Sequence, residues 1–207
     1  MYIVPAHKEN YQVSKGRGKG GLATIWDKKI TKYVSKIQCE NYRLQATKFN
    51  FPSGDLLVLN TYFPCDPRTA NFNDTELIKL LTDIQTIIVQ SNISNIWLAG
   101  DLNSDFLRNT KFTKTVKDYF DESGLHLLWE NCDNLPNVST VDYTFMSTAN
   151  GTVAFSTIDH FACSSRLFPA ITEAGVTHSG TNTSNHSAIY AKLAVGNIDL
   201  AAENRSI

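Results

Sequence analysis

The sequence has little glycine, proline or cysteine, and neither sign of charge is in excess. Eleven glycines and six prolines among 207 residues are too few for a collagen-like or low-complexity protein. The 19 basic and 20 acidic residues leave a net charge of −1, which argues against a protein that binds nucleic acid through bulk positive charge. A polyanionic partner would therefore have to be held at a local site.

The cysteines and the apolar segments exclude further classes of protein. Cys39, Cys65, Cys132 and Cys163 form no C-x-x-C pair and have no histidine at zinc-finger spacing, so we expect free thiols in a reducing compartment. No apolar run approaches the roughly 20 residues of a membrane span. The first residues, MYIVPAHKENYQ, lack the pattern of a signal peptide. We expect an intracellular protein without membrane contacts.

Apolar periodicity predicts one mixed α/β domain over residues 16–195, between an irregular segment at 1–15 and a tail at 196–207. Apolar residues at three- and four-residue spacing over 77–88 predict a helix, and a second helix is expected over 113–123, ending at Gly124. Pro52-Ser-Gly-Asp55 predicts a hairpin turn. Strands are predicted at 22–26, 34–39, 42–49, 56–63, 95–100, 143–146, 155–162 and 187–195.

The sharpest chemical signal is Gly100-Asp101-Leu102-Asn103, which directly follows a buried strand. A carboxylate there lies at the rim of a sheet, where ligands are commonly bound. Asp101 could deprotonate water, and the Asn103 amide could donate to a phosphate oxygen. Taken alone, the tetrapeptide is more typical of a turn.

Two further motifs favour a catalytic interpretation. Asp159 lies in Ser156-Thr-Ile-Asp159-His160, among alternating apolar residues, where a carboxylate needs a partner. His186 lies in Ser184-Asn185-His186, immediately before the last strand. A histidine so placed can bond an aspartate that fixes its tautomer, and its imidazolium can then stabilise phosphate charge. The three motifs together indicate a site more strongly than any one of them.

Taken in chain order, these and two further motifs resemble the endonuclease/exonuclease/phosphatase superfamily, which includes DNase I, apurinic/apyrimidinic endonucleases and the endonuclease domains of LINE-type retrotransposons. The glycine-rich entry Gly18-Lys-Gly-Gly-Leu-Ala-Thr-Ile most resembles the retrotransposon branch. The motifs are Asn60-x-Tyr62-x-Pro64, Gly100-Asp101-x-Asn103, Tyr143-Thr144-Phe145, Ser156-x-Ile-Asp159-His160 and Ser184-Asn185-His186.

The resemblance implies a four-layer αββα sandwich, incomplete at its N-terminus, that hydrolyses phosphodiesters with Mg²⁺ or Mn²⁺. It implies that Asp101 activates water, that Asn103 positions the water and the phosphate, and that Asp159 holds His186 against the phosphate charge. Tyr62 would bond a phosphate oxygen and assist the leaving group. The implied partner is DNA, and the implied location is the nucleus. The resemblance also implies a monomer, which could belong to a longer polyprotein with a reverse transcriptase. Hydroxyl contacts to the substrate backbone are implied for Thr144, Ser156 and Ser184.

The chain departs from the family pattern at the metal. Family members carry a glutamate ligand at the end of an early strand, whereas Glu9 is the only glutamate before the glycine-rich entry and follows no apolar strand. Asn185 replaces the usual aspartate and keeps an oxygen ligand without its charge, which weakens metal binding. Three hypotheses follow: a DNA-nicking endonuclease, an impaired pseudo-endonuclease that only binds nucleic acid, and a phosphoinositide phosphatase or other lipid phosphodiesterase.

Overall fold

The computed structural model describes residues 1–5, 21–66, 74–131, 135, 137–149, 151–194 and 196. Glu9, Cys132, the glycine-rich entry up to Gly20 and nearly all of the predicted tail lie outside these residues. The described helices are α1 (Thr75–Ser91) and α2 (Lys111–Ser123), with 3-10 helices at Lys28–Tyr33 and Ser165–Ala170. The described strands are β1 (Tyr2–Val4), β2 (Leu22–Thr24), β3 (Val34–Ile37), β4 (Leu44–Phe51), β5 (Gly54–Tyr62), β6 (Ile96–Asp101), β7 (Leu125–Leu127), β8 (Phe145–Ala149), β9 (Thr152–Ser156), β10 (Asp159–Ser164), β11 (Ile171–Thr177) and β12 (Ala188–Leu193).

A six-stranded mixed sheet with the order β3-β4-β5-β6-β10-β7 forms the centre of the fold. The predicted turn at Pro52 joins β4 and β5 as an antiparallel hairpin in which Phe51 faces Gly54. Strands β5 and β6 run parallel, since α1 forms the crossover between them. Strand β10 then pairs antiparallel with both β6 and β7.

The two helices cover one face of this sheet. The apolar residues of α1 that recur every three or four positions are buried against the sheet, as the sequence pattern predicted. Helix α2 begins at a capping box formed by Thr110 and Thr113 and ends at Gly124, which has the left-handed conformation expected of a helix-terminating glycine. None of the helices in the described part of the chain has the length and apolar composition needed to cross a membrane.

The opposite face of the sheet packs against the β11–β12 hairpin and the 3-10 helix at Ser165–Ala170. Phe49, Leu56, Trp97 and Phe161 from the sheet join Leu167 in this second apolar cluster. The sheet is therefore buried on both faces, which explains why β5 and β6 have nearly continuous apolar sequences. The predicted α/β class is confirmed.

The start of the chain differs from the irregular segment predicted for residues 1–15. Tyr2–Val4 form β1, which pairs antiparallel with β2. The fully buried Gln45 side chain donates to the carbonyls of Tyr2, at 3.2 Å, and Leu22, at 3.0 Å. Three residues are too few to show an apolar period, so the pairing partner and the Gln45 amide determine this strand rather than its own sequence.

A second difference is that the single strand predicted at 155–162 is two strands. Strand β9 pairs with β8, whereas β10 belongs to the central sheet. Between them, the backbone N–H groups of Ile158 and Asp159 donate to the Thr144 hydroxyl, at 2.9 Å each, instead of to a neighbouring strand. A side chain from a distant segment thus ends one strand and starts the next.

Candidate active site

Three of the predicted site residues lie side by side at one edge of the central sheet. Tyr62 ends β5, Asp101 ends β6 and Asp159 begins β10. Tyr62 is the register partner of Asp101 in the parallel pair, and Asp101 is the register partner of Asp159 in the antiparallel pair. The strand order therefore brings together residues almost 100 positions apart in the chain.

Gly100 allows the strands to approach at this edge. Its φ of 147° lies in a region that L-residues rarely adopt, and a Cβ at this position would overlap the carbonyl oxygen of Thr61 on β5. The strand predicted at 95–100 includes this glycine, and the structure confirms that Gly100 belongs to β6. Its missing side chain permits close backbone contact with β5.

A tight turn after β6 fixes Asp101 and Asn103 relative to each other. The Asn103 backbone N–H donates to Asp101 Oδ1 at 2.8 Å, and Asn103 has a positive φ of 48°. Its side-chain Nδ2 donates to the carbonyl of Phe63, 2.8 Å away, at the end of β5. Asn103 therefore joins the ends of two neighbouring strands and holds one oxygen of Asp101.

His186 reaches the same edge from the loop before β12. Its Nδ1 donates to Asp159 Oδ2 at 2.9 Å, which is the partnership that the sequence predicted. The Ser184 hydroxyl accepts a hydrogen bond from the His186 backbone N–H at 3.0 Å, and His186 forms an isolated bridge with Phe145. Ser184 is thus placed to fix the histidine backbone, and its expected contact with substrate stays a prediction.

The pKa shifts of the groups at this edge of the sheet indicate a different role for each group. Burial, and then the charge of Asp159, raises the pKa of Asp101 to about 6. The hydrogen bond that His186 donates to Asp159 raises the pKa of His186 above its usual value and favours the imidazolium. Burial is the main cause that raises the pKa of Tyr62, which stays a protonated donor at neutral pH.

Asp101, Asp159 and His186 each place a ligand atom within 4.8 Å of the others, and in the described part of the chain no other group of acidic, histidine or cysteine residues does so. As far as the described residues extend, the group contains no glutamate. Asn185, the weak metal ligand predicted from the motif, lines a separate hollow of about 270 Å³ with Tyr143, His178 and Ser184. A role for Asn185 in metal binding stays a prediction.

The structure places Thr144 inside the protein, and its predicted contact with substrate stays a prediction. Thr144 is 0% exposed, and its hydroxyl accepts the backbone N–H groups of Ile158 and Asp159, so it is placed to position Asp159. Ser156 is 8% exposed, and its hydroxyl accepts a hydrogen bond from Arg108 Nη2 at 2.7 Å. Both hydroxyls therefore form hydrogen bonds inside the protein, next to the β8–β9 pair and the start of β10.

Sequence reasoning missed Arg43, which lies next to Tyr62 and is almost fully buried. The available signal was the one used for Asp159: a charged residue adjoining an apolar strand needs a partner. It missed His160 as well, whose buried Nε2 lies 2.8 Å from the Ser104 carbonyl oxygen, just after Asn103.

Comparison with known proteins establishes the fold. No protein-family model matches the chain, and no curated protein matches its sequence. The endonuclease domain of TRAS1, a telomere-specific non-LTR retrotransposon, matches with a TM-score of 0.66 at 15% identity, over 93% of this chain and 80% of that one. An endonuclease/exonuclease/phosphatase family protein from Leptotrichia buccalis matches with a TM-score of 0.50 at 17% identity, over 72% and 53%. The chain has the endonuclease/exonuclease/phosphatase (DNase I-like) fold.

The DNase I-like fold also relates the chain to a 3′ phosphatase from Neisseria whose structure holds a product DNA hairpin. That match has a TM-score of 0.58 at 14% identity and covers 75% of this chain and 66% of the phosphatase. At these identities the likeness establishes the fold alone. The resemblance drawn from the motifs is confirmed at that level.

Proposed function

We propose that the chain is a divalent-metal-dependent phosphodiester hydrolase that nicks DNA. The observation that carries the proposal is the meeting of Tyr62, Asp101, Asp159 and His186 at one sheet edge, with the aspartates facing each other in register. A base, an imidazolium and a phenol in one place can together promote the attack of water on a phosphate. The likeness to the TRAS1 endonuclease domain supports a retrotransposon origin.

The residues fit a hard divalent cation such as Mg²⁺ or Mn²⁺. Asp101 and Asp159 offer carboxylate oxygens, and their mutual repulsion, which contributes to the raised pKa of Asp101, is what a cation would relieve. When bound, the cation would polarise the phosphate and lower the pKa of water. The two carboxylates are the groups that would hold it, since His186 Nδ1 is used by Asp159.

Each side chain then has a distinct task. Above about pH 6, Asp101 is ionised and can accept the proton of the attacking water, while the backbone N–H of Asn103 fixes its other oxygen. Asp159 orients His186 through Nδ1, which leaves Nε2–H to donate to a phosphate oxygen as negative charge develops. Tyr62 remains protonated and can donate to a second phosphate oxygen.

Plasmid nicking tests the proposal. Supercoiled plasmid incubated with the chain and Mg²⁺ is expected to become open circles, and Asp101→Ala is expected to lose at least about 100-fold of the rate. A control variant of an exposed aspartate at the far end of α2, Asp121→Ala, should keep the wild-type rate. Equal nicking by the chain and by Asp101→Ala would show that the site assignment is wrong.

A specific observation supports a second candidate, a pseudo-endonuclease that binds nucleic acid without cutting it. Within the described residues the acidic group contains no glutamate, and Asn185 carries no charge. This candidate predicts that the chain retards DNA in a gel without nicking it, and that Asn185→Asp restores some nicking. The endonuclease hypothesis predicts nicking by the unaltered chain.

A further inference from the structure

Arg43 is a buried cation that contacts Tyr62 and does not belong to the acidic group. Its side chain is 6% exposed, and its Nε donates to Glu76 Oε1 on α1 at 2.8 Å. Its Nη1 lies within hydrogen-bond distance of the carbonyls of Tyr62, at 3.3 Å, and Phe63, at 3.4 Å. The carbon of the guanidinium is 5.2 Å from the centre of the Tyr62 ring.

These contacts hold Tyr62 through both its backbone and its ring. The Tyr62 backbone N–H donates to the Arg43 carbonyl at 3.0 Å, and the Tyr62 carbonyl accepts from the Arg43 side chain, so each residue donates a hydrogen bond to the other. A guanidinium within about 6 Å of an aromatic ring is attracted to it, and the planar fork of arginine can serve several acceptors at once. Glu76 supplies the countercharge that lets this cation stay buried.

The same backbone segment connects Arg43 to the rest of the site. The Phe63 carbonyl that Arg43 contacts also accepts the hydrogen bond from Asn103 Nδ2, and the Phe63 N–H donates to the Asp101 carbonyl at 2.8 Å. If the Arg43–Glu76 ion pair only attached α1 to the sheet, Arg43 would not need to contact the Tyr62 and Phe63 carbonyls. Arg43 therefore contacts the same backbone segment that joins Tyr62 to Asn103 and Asp101.

We propose that Arg43 is a positioning residue that holds the Tyr62 phenol in place for phosphate binding. The proposal rests on the proposed function, because it assigns to Arg43 an effect on the reaction that is exerted through Tyr62. It predicts that removing Arg43 matters for turnover only while the Tyr62 hydroxyl is present.

A double-mutant cycle tests this on a fluorescent DNA duplex with Mg²⁺. Arg43→Met is expected to lower kcat about 10- to 100-fold with little change in KM, since small displacements of a positioned group have effects of this size. In a Tyr62→Phe background the same substitution should change kcat by less than about threefold, because coupled residues are non-additive. Tyr33→Phe is the matched control, since the Tyr33 ring also has a cation over it, Lys32 Nζ at 4.8 Å from the ring centre, but lies in the 3-10 helix at Lys28–Tyr33. It should leave kcat unchanged.

A readout without activity separates this proposal from the proposed function. In protein with ¹³C-labelled tyrosine, the Tyr62 ring signal, assigned with Tyr62→Phe, is expected to shift in Arg43→Met while circular dichroism stays the same. If Arg43→Met does not fold, Arg43→Lys replaces it, since lysine keeps the cation but not the fork. An unchanged Tyr62 signal, or an equal loss of kcat in both backgrounds, overturns the role of Arg43. A chain that cuts no DNA but shows the shifted signal overturns only the proposed function.

Discussion

At Asp101, the ionised form that the proposed chemistry needs is also the form that lowers the stability of the folded protein. Its pKa in the folded chain is about 6, against an ordinary value of 3.8, because it is buried beside Asp159. The folded state therefore binds the proton more tightly than the unfolded state does. Stability from this group is present at low pH and is lost as pH rises through about 6.

Replacing Asp101 by asparagine should consequently stabilise the metal-free protein at pH 7.5. The gain in the free energy of unfolding is at most about 3 kcal/mol, since one pKa unit corresponds to about 1.4 kcal/mol, and it should shrink as pH is lowered towards 4. Urea denaturation at several pH values measures it. Asp142→Asn serves as the control of opposite sign, because His178 lowers the pKa of Asp142 and its charge favours folding. Destabilisation by Asp101→Asn at pH 7.5 would contradict the electrostatic origin of the shift.

Thr144 gives a second prediction about a single residue. In Thr144→Val the backbone N–H groups of Ile158 and Asp159 lose their common acceptor inside the protein. We expect unfolding to become easier by about 1–3 kcal/mol, together with slower nicking, because Asp159 loses its fixed position. Thr148→Val, at an exposed threonine in β8, the strand that follows Thr144, should change neither thermal stability nor rate. Wild-type stability in Thr144→Val would mean that this hydroxyl does not hold β10.

The partnership of Asp159 with His186 could be predicted from the sequence, but the roles of Thr144 and Ser156 could not. A carboxylate adjoining an apolar strand needs a partner, and few side chains can meet that need. A hydroxyl can form its hydrogen bonds equally well with backbone groups, solvent or phosphate. Which of these it contacts depends on the β8–β9 pair, whose arrangement no local pattern specifies.

At the scale of elements, the contact between β5 and β6 depends on Gly100. Gly100→Ala should destabilise the protein strongly, by more than about 3 kcal/mol, because the methyl group would overlap backbone on the neighbouring strand and the φ is unfavourable as well. Thermal denaturation measures the change. Gly124→Ala is the matched comparison: it shares a positive φ but faces open space, and should cost only about 1 kcal/mol. Equal effects of the two substitutions would mean that close strand contact is not what Gly100 provides.

Elements with a long apolar period were predictable, whereas the three-residue strands β1 and β7 and the longer strand β11 were not. Helix α1 and strands β5 and β6 have enough apolar residues to define their faces. Strand β1 has three residues and β7 has three, and each exists because a neighbouring strand supplies the hydrogen bonds. The predicted strand at 155–162 was split by contacts from Thr144, which lies more than ten residues earlier.

For the molecule as a whole, the ordered motifs predicted the DNase I-like fold although no single element did. The order of the motifs reflects the strand order, which places Tyr62, Asp101 and Asp159 on neighbouring strands. Arg43 carries no motif of its own, and its importance emerges only when β4 and β5 are seen side by side. The order of the motifs along the chain thus predicts which strands carry the site. The buried groups that support the site can be identified only from the structure.

The pH dependence of plasmid nicking is the most direct test of a site in which Asp101 acts ionised and His186 acts protonated. Over pH 4–9 with saturating Mg²⁺, the rate is expected to rise as Asp101 loses its proton, at a pH below the value of about 6 of the metal-free protein because a cation stabilises the carboxylate, and to fall again above the raised pKa of His186. Because the two groups interact, the two limbs report the pair rather than either residue alone. A rate that does not change across this range, or an unchanged profile in Asp101→Asn, would contradict hydrolysis at this site.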